Sequence, residues 1–179
     1  MTQEVVKSVQ SLFENSCNDL FVSLNCYIRE TDVANNSLCD APVAYIDAGS
    51  DDISLVIALQ LPMTVLSLSY PVPGSISEVS EEILEDWINE LSNQLIGRLK
   101  AKMLNHNQTL QIGLPASYFD SDISEVFLED GEVKTFYFEI DGEVCVFHLS
   151  VKVFNENLNY TLEVNEETES IAEGDIELF

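Results

Sequence analysis

The chain has 179 residues, 46% of them hydrophobic and 22% charged, which is the length of one domain and too apolar for global disorder. Thirty-two Asp and Glu against seven Lys and Arg give a formal charge of -25, which repels phosphate backbones and anionic lipid surfaces. Nucleic acid is therefore not an expected partner. No apolar run approaches the ~18 residues of a membrane span, and the opening MTQEVVKSVQSLFENSCNDLFV lacks the basic patch and apolar core of a signal peptide. A cytoplasmic location is the expectation, with Cys17, Cys26, Cys39 and Cys145 as buried, reduced thiols. The Asn-x-Ser/Thr triplets at Asn35, Asn107 and Asn159 then carry no glycosylation meaning.

Val5, Val6, Val9, Leu12, Phe13, Leu20, Phe21 and Leu24 recur with helical spacing and predict an opening amphipathic helix of about 20 residues. Residues Asn35 to Pro42 are turn-rich. Val43 to Ile46, Ile53 to Leu61 and Thr64 to Tyr70 read as strands, each rich in β-branched or aromatic side chains. Gly49 to Asp52 makes a hairpin turn between the first two, and Pro62 marks a bend or edge before the third. Pro71 to Gly74 ends that strand. Ser80, followed by Glu81 and Glu82, has the character of a helix start, because a Ser hydroxyl accepts from an orphan amide and carboxylates suit the positive end of the dipole. Val79 and Leu84 are placed for a hydrophobic staple across that cap.

The helix should run from Glu81 to about Leu104 and end in the polar turn Asn105 to Gln108. Thr109 to Leu114 reads as a strand stopped by Pro115, and Phe136 to Ile140 as another. Asp141-Gly142 is a two-residue hairpin signal leading into Glu143 to Phe154. Tyr160 to Val164 adds a short strand. This places one domain over residues 1–164 and an acidic, disordered tail over residues 165–179. The fold class is α+β: a mostly antiparallel sheet of about six strands packed by two long helices.

On the Glu81 to Leu104 helix, Leu84, Ile88, Leu91, Leu95 and Leu99 form one stripe with Trp87 beside it, and packing on the sheet accounts for all of them. The opposite side carries Asp86, Glu90, Asn93 and Gly97. Glu90 and Asn93 are neighbours at i and i+3. Gly97 is costly there, by about 1 kcal/mol relative to Ala, and close approach by another molecule would justify it. An ordinary solvated helix face is the bland alternative. Arg98, Lys100 and Lys102 hold three of the seven positive charges and either steer an acidic partner or simply suit a helix C-terminus.

The run Glu85-Asp86-Trp87-Ile88-Asn89-Glu90-Leu91-Ser92-Asn93-Gln94-Leu95-Ile96-Gly97, then Lys100 and Lys102, then Leu110-Gln111-Ile112-Gly113-Leu114-Pro115, resembles the signature of the CheC/CheX/FliY chemotaxis phosphatases. With one Glu-x-x-Asn motif the chain is more similar to CheX than to CheC, which carries two. The resemblance implies a CheC/CheX-like fold and hydrolysis of the aspartyl phosphate on a CheY-type response-regulator receiver domain. By the same carry-over Asn93 would hold the attacking water and Glu90 would pair with the receiver's active-site Lys, with Asp86, Asn89, Gly97 and Lys100 as partner-binding residues. No cofactor is expected on this chain, since Mg²⁺ would be supplied at the receiver's active site. The Phe136 to Phe154 hairpin resembles the family's dimer-forming strands and implies a homodimer.

His148 lies in an alternating strand and His106 in a turn, neither beside a nucleophile motif, so triad chemistry has no support. No metal-ligand spacing or Gly-rich phosphate loop appears. Two further readings stay beside the phosphatase: a non-catalytic CheX-like module that docks a response regulator or other signalling protein through the same helix, and an acidic adaptor acting through its tail, whose apolar end is Ile176, Leu178 and Phe179.

Overall fold

The computed structural model describes residues 2–32, 41–71, 80–119, 132–158 and 160. Helix α1 spans Thr2–Ser23 and buries Val5, Val9, Phe13, Cys17 and Leu20, as the spacing predicts. It ends where Asn25 turns left-handed at φ 60°. There the Cys26 amide donates back to the Phe21 carbonyl at 2.9 Å and the Asn25 amide to Val22 at 3.0 Å, a reciprocal pattern that satisfies orphan carbonyls. The short strand β1, Ile28–Glu30, follows; no sequence signal pointed to it. Strands β2, Val43–Gly49, and β3, Ile53–Gln60, form the expected hairpin.

The segment read as a third strand, Thr64 to Tyr70, is a helix. Helix α2 spans Met63–Ser69. Pro62 stands just before it at φ -55°, a value already suited to a helix start, and its carbonyl accepts from the Leu66 amide at 3.1 Å. Val65, Leu66 and Ser69 are buried together, a one-turn spacing that a short apolar run of seven residues does not distinguish from a strand.

Helix α3 spans Glu81–Leu104, the bounds given by its cap and polar turn. The Ser80 hydroxyl accepts from the Ile83 amide at 3.3 Å, and Asn107, left-handed at φ 59°, closes the far end with Gln108 donating to Met103 at 3.1 Å. The strand expected over Thr109 to Leu114 is shorter and broken. Strand β4 is Gln111–Ile112 and β5 is Ala116–Tyr118, with the chain between them lifted over Asp47, whose carbonyl accepts from the Gly113 amide at 2.9 Å. Strands β6, Glu132–Ile140, and β7, Glu143–Val153, make a long hairpin. Its turn residues, Asp141 at φ 50° and Gly142 at φ 89°, are both left-handed, as a primed turn requires.

Among the described residues seven strands, in keeping with the expectation of about six, form one antiparallel sheet in the order β1-β6-β7-β3-β2-β4, with β5 also on β2. Register puts Ala44, Ile46, Leu55, Ile57, Leu59, Phe147 and Leu149 on one face, where they meet the buried sides of α1 and α3 in the main core. Phe21 packs edge-on to Phe147 at 6.0 Å and Phe13 tilts on Phe136 at 5.2 Å. The other face holds a smaller cluster of Ala41, Val43, Ala58 and Val146 with Tyr45 and Tyr137 against it. Cys17, Cys26 and Cys145 are free and buried. Among the described residues no helix is long and apolar enough to cross a membrane. The expectations for the Asn35 to Asp40 turn, Val72 to Gly74, the Val79 staple, Cys39, the strand beyond Tyr160 and the acidic tail fall outside the described residues.

Candidate functional site

Leu84, Trp87, Ile88, Leu91, Leu95 and Leu99 all lie buried on the inner side of α3. That fixes the rotation of the helix on the sheet and turns Asp86, Glu90, Asn93 and Gly97 outward. At 100° per residue these four fall within an arc of about 60° and extend roughly 16 Å along the axis. Asp86 and Glu90 are exposed, while Asn93 and Gly97 are half-buried. The Asn93 amide has no hydrogen-bond partner among the described residues, so it can both donate and accept towards an incoming molecule. Glu90 accepts from Gln94 Nε2 at 2.9 Å through Oε1, an exposed bond between residues one helical turn apart that leaves Oε2 available. A Cβ built on Gly97 would meet nothing within 4 Å. The missing side chain therefore leaves a flat stretch of helix beside Asn93.

The row is braced from both flanks. On one flank Asn89 Nδ2 donates to Ser117 Oγ at 2.9 Å, and Ser117 donates to Glu85 Oε1 at 3.0 Å, tying two turns of α3 to β5. Asn89 is thus turned to the sheet edge, away from the row, and its buried Oδ1 has no partner among the described residues. On the other flank the indole of Trp87 donates to Ser69 Oγ at 3.0 Å, with Tyr70 edge-on at 5.7 Å, so α2 sets the height of the helix there. The positive charges divide. Arg98 donates to Ser23 Oγ at 2.9 Å and Lys102 pairs with Asp19 at 2.7 Å, both towards α1, whereas Lys100 lies on the β5 side, has no partner among the described residues and is half-buried. Sequence reasoning missed Ser69, Gln94 and Ser117. Only Gln94, one turn beyond Glu90, had a spacing that pointed to its role.

Other chemistry is scant. Among the described residues no group of His, Cys, Asp and Glu converges as a metal site. His148 faces Thr135 across the hairpin, with Nε2 3.4 Å from its hydroxyl, and His106 stacks edge-on against Tyr160 at 4.9 Å. Burial pushes the thiols of Cys17 and Cys145 well up, and that of Cys26 to about 11, away from nucleophilic use at neutral pH. What remains as a reactive surface is the row on α3, with an unengaged amide, an outward carboxylate and an open glycine.

Among solved structures, CheX from Vibrio vulnificus superposes with a TM-score of 0.63 at 10% identity, over 80% of this chain and 96% of that one. The chain has the CheC/CheX fold. A CheX–CheY–BeF3–Mg²⁺ complex from Borrelia burgdorferi matches with a TM-score of 0.59 at 9% identity, over 79% of this chain and 96% of its counterpart. A chemotactic CheC-like protein from Shewanella oneidensis MR-1 gives 0.60 at 12% identity, over 85% and 100%. At the level of sequence, no family pattern and no curated protein matches the chain. Fold alone does not carry an activity. The case for chemistry on this CheC/CheX-like domain rests on the α3 row.

Proposed function

We propose that this chain hydrolyses the aspartyl phosphate of a CheY-type receiver domain, with Glu90 and Asn93 as the working pair. The observation that carries the reading is the outward row on α3, where an unengaged Asn93 amide lies one turn from the outward Glu90 carboxylate and one turn from the open surface of Gly97. A CheX neighbour in complex with CheY supports the choice of partner. In the reaction a water oxygen attacks phosphorus in line, the bond from phosphorus to the aspartyl oxygen breaks, and the products are a free Asp carboxylate, inorganic phosphate and a proton released to solvent. The receiver brings the Mg²⁺ that neutralises developing charge.

The chain's own part is geometric. The Asn93 amide holds the water on the line of attack, a contribution of orientation and not of acid or base. Glu90 pairs through Oε2 with the receiver's active-site Lys and sets the register of the two proteins. Lys100, the unengaged cation of α3, draws in an acidic partner face. A homodimer and a cytoplasmic location belong to the same proposal, and sedimentation velocity reads the first.

The test is release of inorganic phosphate from a phosphorylated CheY-type receiver with Mg²⁺ present. Wild type should accelerate release, and Asn93→Ala should lose that acceleration by about 100-fold while still binding the receiver. Glu90→Ala should lose both. Binding without acceleration, across several receivers, would reject the enzyme in favour of a docking module on the same helix.

A further inference from the structure

Beside the row, on its α2 flank, Tyr70, Ile83, Asp86, Trp87 and Glu90 line an open groove of about 230 Å³. Its walls are apolar, formed by Ile83 in the first turn of α3 and by Tyr70 standing edge-on to Trp87 at 5.7 Å. Its rim carries two carboxylates, Asp86 and Glu90, and among the described residues no cation lines it. The groove does not arise from loose packing. Trp87 is held by its hydrogen bond to Ser69 and is only 7% exposed, so the floor is rigid. Ile83 is left 37% exposed, although a polar residue at that outer position would cost the helix nothing.

Apolar walls with an acidic rim suit one kind of occupant, a side chain with a long aliphatic stem and a positive head. We propose that this groove receives a lysine or arginine side chain of the receiver domain, its stem against Ile83 and Tyr70 and its charge on Asp86. The inference rests on the reading of the row as the receiver-binding face. Glu90 closes the end of the groove and remains committed to the active-site Lys, so Asp86 is the specific counter-charge. The pairing makes the groove the element that selects among receivers, because a receiver lacking a basic residue at that position would strand the Asp86 charge against an apolar contact.

Trp87 is the one tryptophan of the chain, which gives the groove its own reporter. In the experiment the ¹⁵N-labelled chain is titrated with unlabelled CheY-type receivers, the single indole N–H resonance is followed together with the backbone amides of α3, and phosphate release is assayed separately. The proposal expects the indole resonance to shift with the same dissociation constant as the α3 amides. It further expects Ile83→Lys to weaken binding at least tenfold and Asp86→Asn to reduce its salt dependence, while Ile83→Leu retains both. An indole resonance that stays put while α3 amides move, or binding indifferent to Ile83→Lys, would overturn it. Indole shifts without phosphate release would uphold the groove and reject the phosphatase. The absence of any receiver binding would reject both. The dispersed spectrum of each variant reports that it is folded.

Discussion

Replacing Gly97 by alanine separates what the helix needs from what a partner needs. Gly97 lies in the middle of α3, and a Cβ there would meet nothing within 4 Å. The change therefore adds no clash and removes the backbone freedom that a glycine retains in the unfolded chain. The helical preference of Ala over Gly is about 1 kcal/mol. For a domain of this size that corresponds to a rise in Tm of roughly 2–4 °C, and with a urea slope near 2 kcal/mol/M to a midpoint shift of about 0.5 M. If Gly97 is the close-approach surface beside Asn93, the same methyl group should raise the KM for a phosphorylated receiver by about tenfold, the scale of one misplaced contact worth 1.4 kcal/mol. Urea unfolding followed by Trp87 fluorescence and a phosphate-release assay on the same preparation read the two effects. Lower stability would refute the openness of this face. Higher stability with unchanged phosphate release would remove Gly97 from the partner surface.

Ser80→Ala should cost about 1 kcal/mol in urea unfolding, because the hydroxyl that accepts from the Ile83 amide at 3.3 Å is lost. Gly113→Ala should cost no more than about 1 kcal/mol, because the Asp47 carboxylate that its Cβ would meet is the exposed end of a side chain that can swing aside; a larger loss that Asp47→Ala in the same chain does not recover would place the strain in the backbone. In a Cys39→Ser background, Ellman's reagent at pH 8 should find the remaining thiols nearly inert until urea is added, because burial keeps them protonated. With the Cys26 pKa near 11, about one thiol in a thousand is ionised at that pH, and its labelling rate should rise about tenfold for each pH unit towards 11. Rapid labelling at pH 8 would show that α1 and the β6–β7 hairpin open locally.

How far the sequence could be read follows from where each signal is local. Both long helices were legible because their apolar stripes run over many turns and their ends carry their own chemistry, Ser80 at one start and Asn107 in the closing turn. The hairpin at Asp141-Gly142 was equally plain, since only such a pair accepts two left-handed residues. Residues Thr64 to Tyr70 misled because Val65, Leu66 and Leu68 satisfy a strand in isolation; their helix starts at Pro62 and is tied down where Ser69 meets Trp87, a contact across eighteen positions that no local pattern records. Strands β1 and β5 are three residues each and exist through their partners β6 and β2. At the site, the outward row was readable as the complement of the apolar stripe. The inward turn of Asn89 to Ser117 was not, because the strand that receives it arrives twenty-eight positions later.

The order of the sheet also sets a timetable. The hairpins β2–β3 and β6–β7 join near neighbours, but they meet at the β3–β7 seam, where Ile53 pairs with Val153 and Gln60 with Val146. Everything that carries the site, α2, α3 and β5, lies in the loop of about a hundred residues that this seam closes. Closure on that scale is an entropic toll that precedes its reward and slows folding. During synthesis α3 emerges with β2 and β3 available beneath it, but before β5 on its flank and before β7, the strand that α1 packs on. Refolding should accordingly show the helical signal before the Trp87 environment becomes native, and a chain ending before β7 should leave α1 without the strand it packs on and β3 without its outer neighbour.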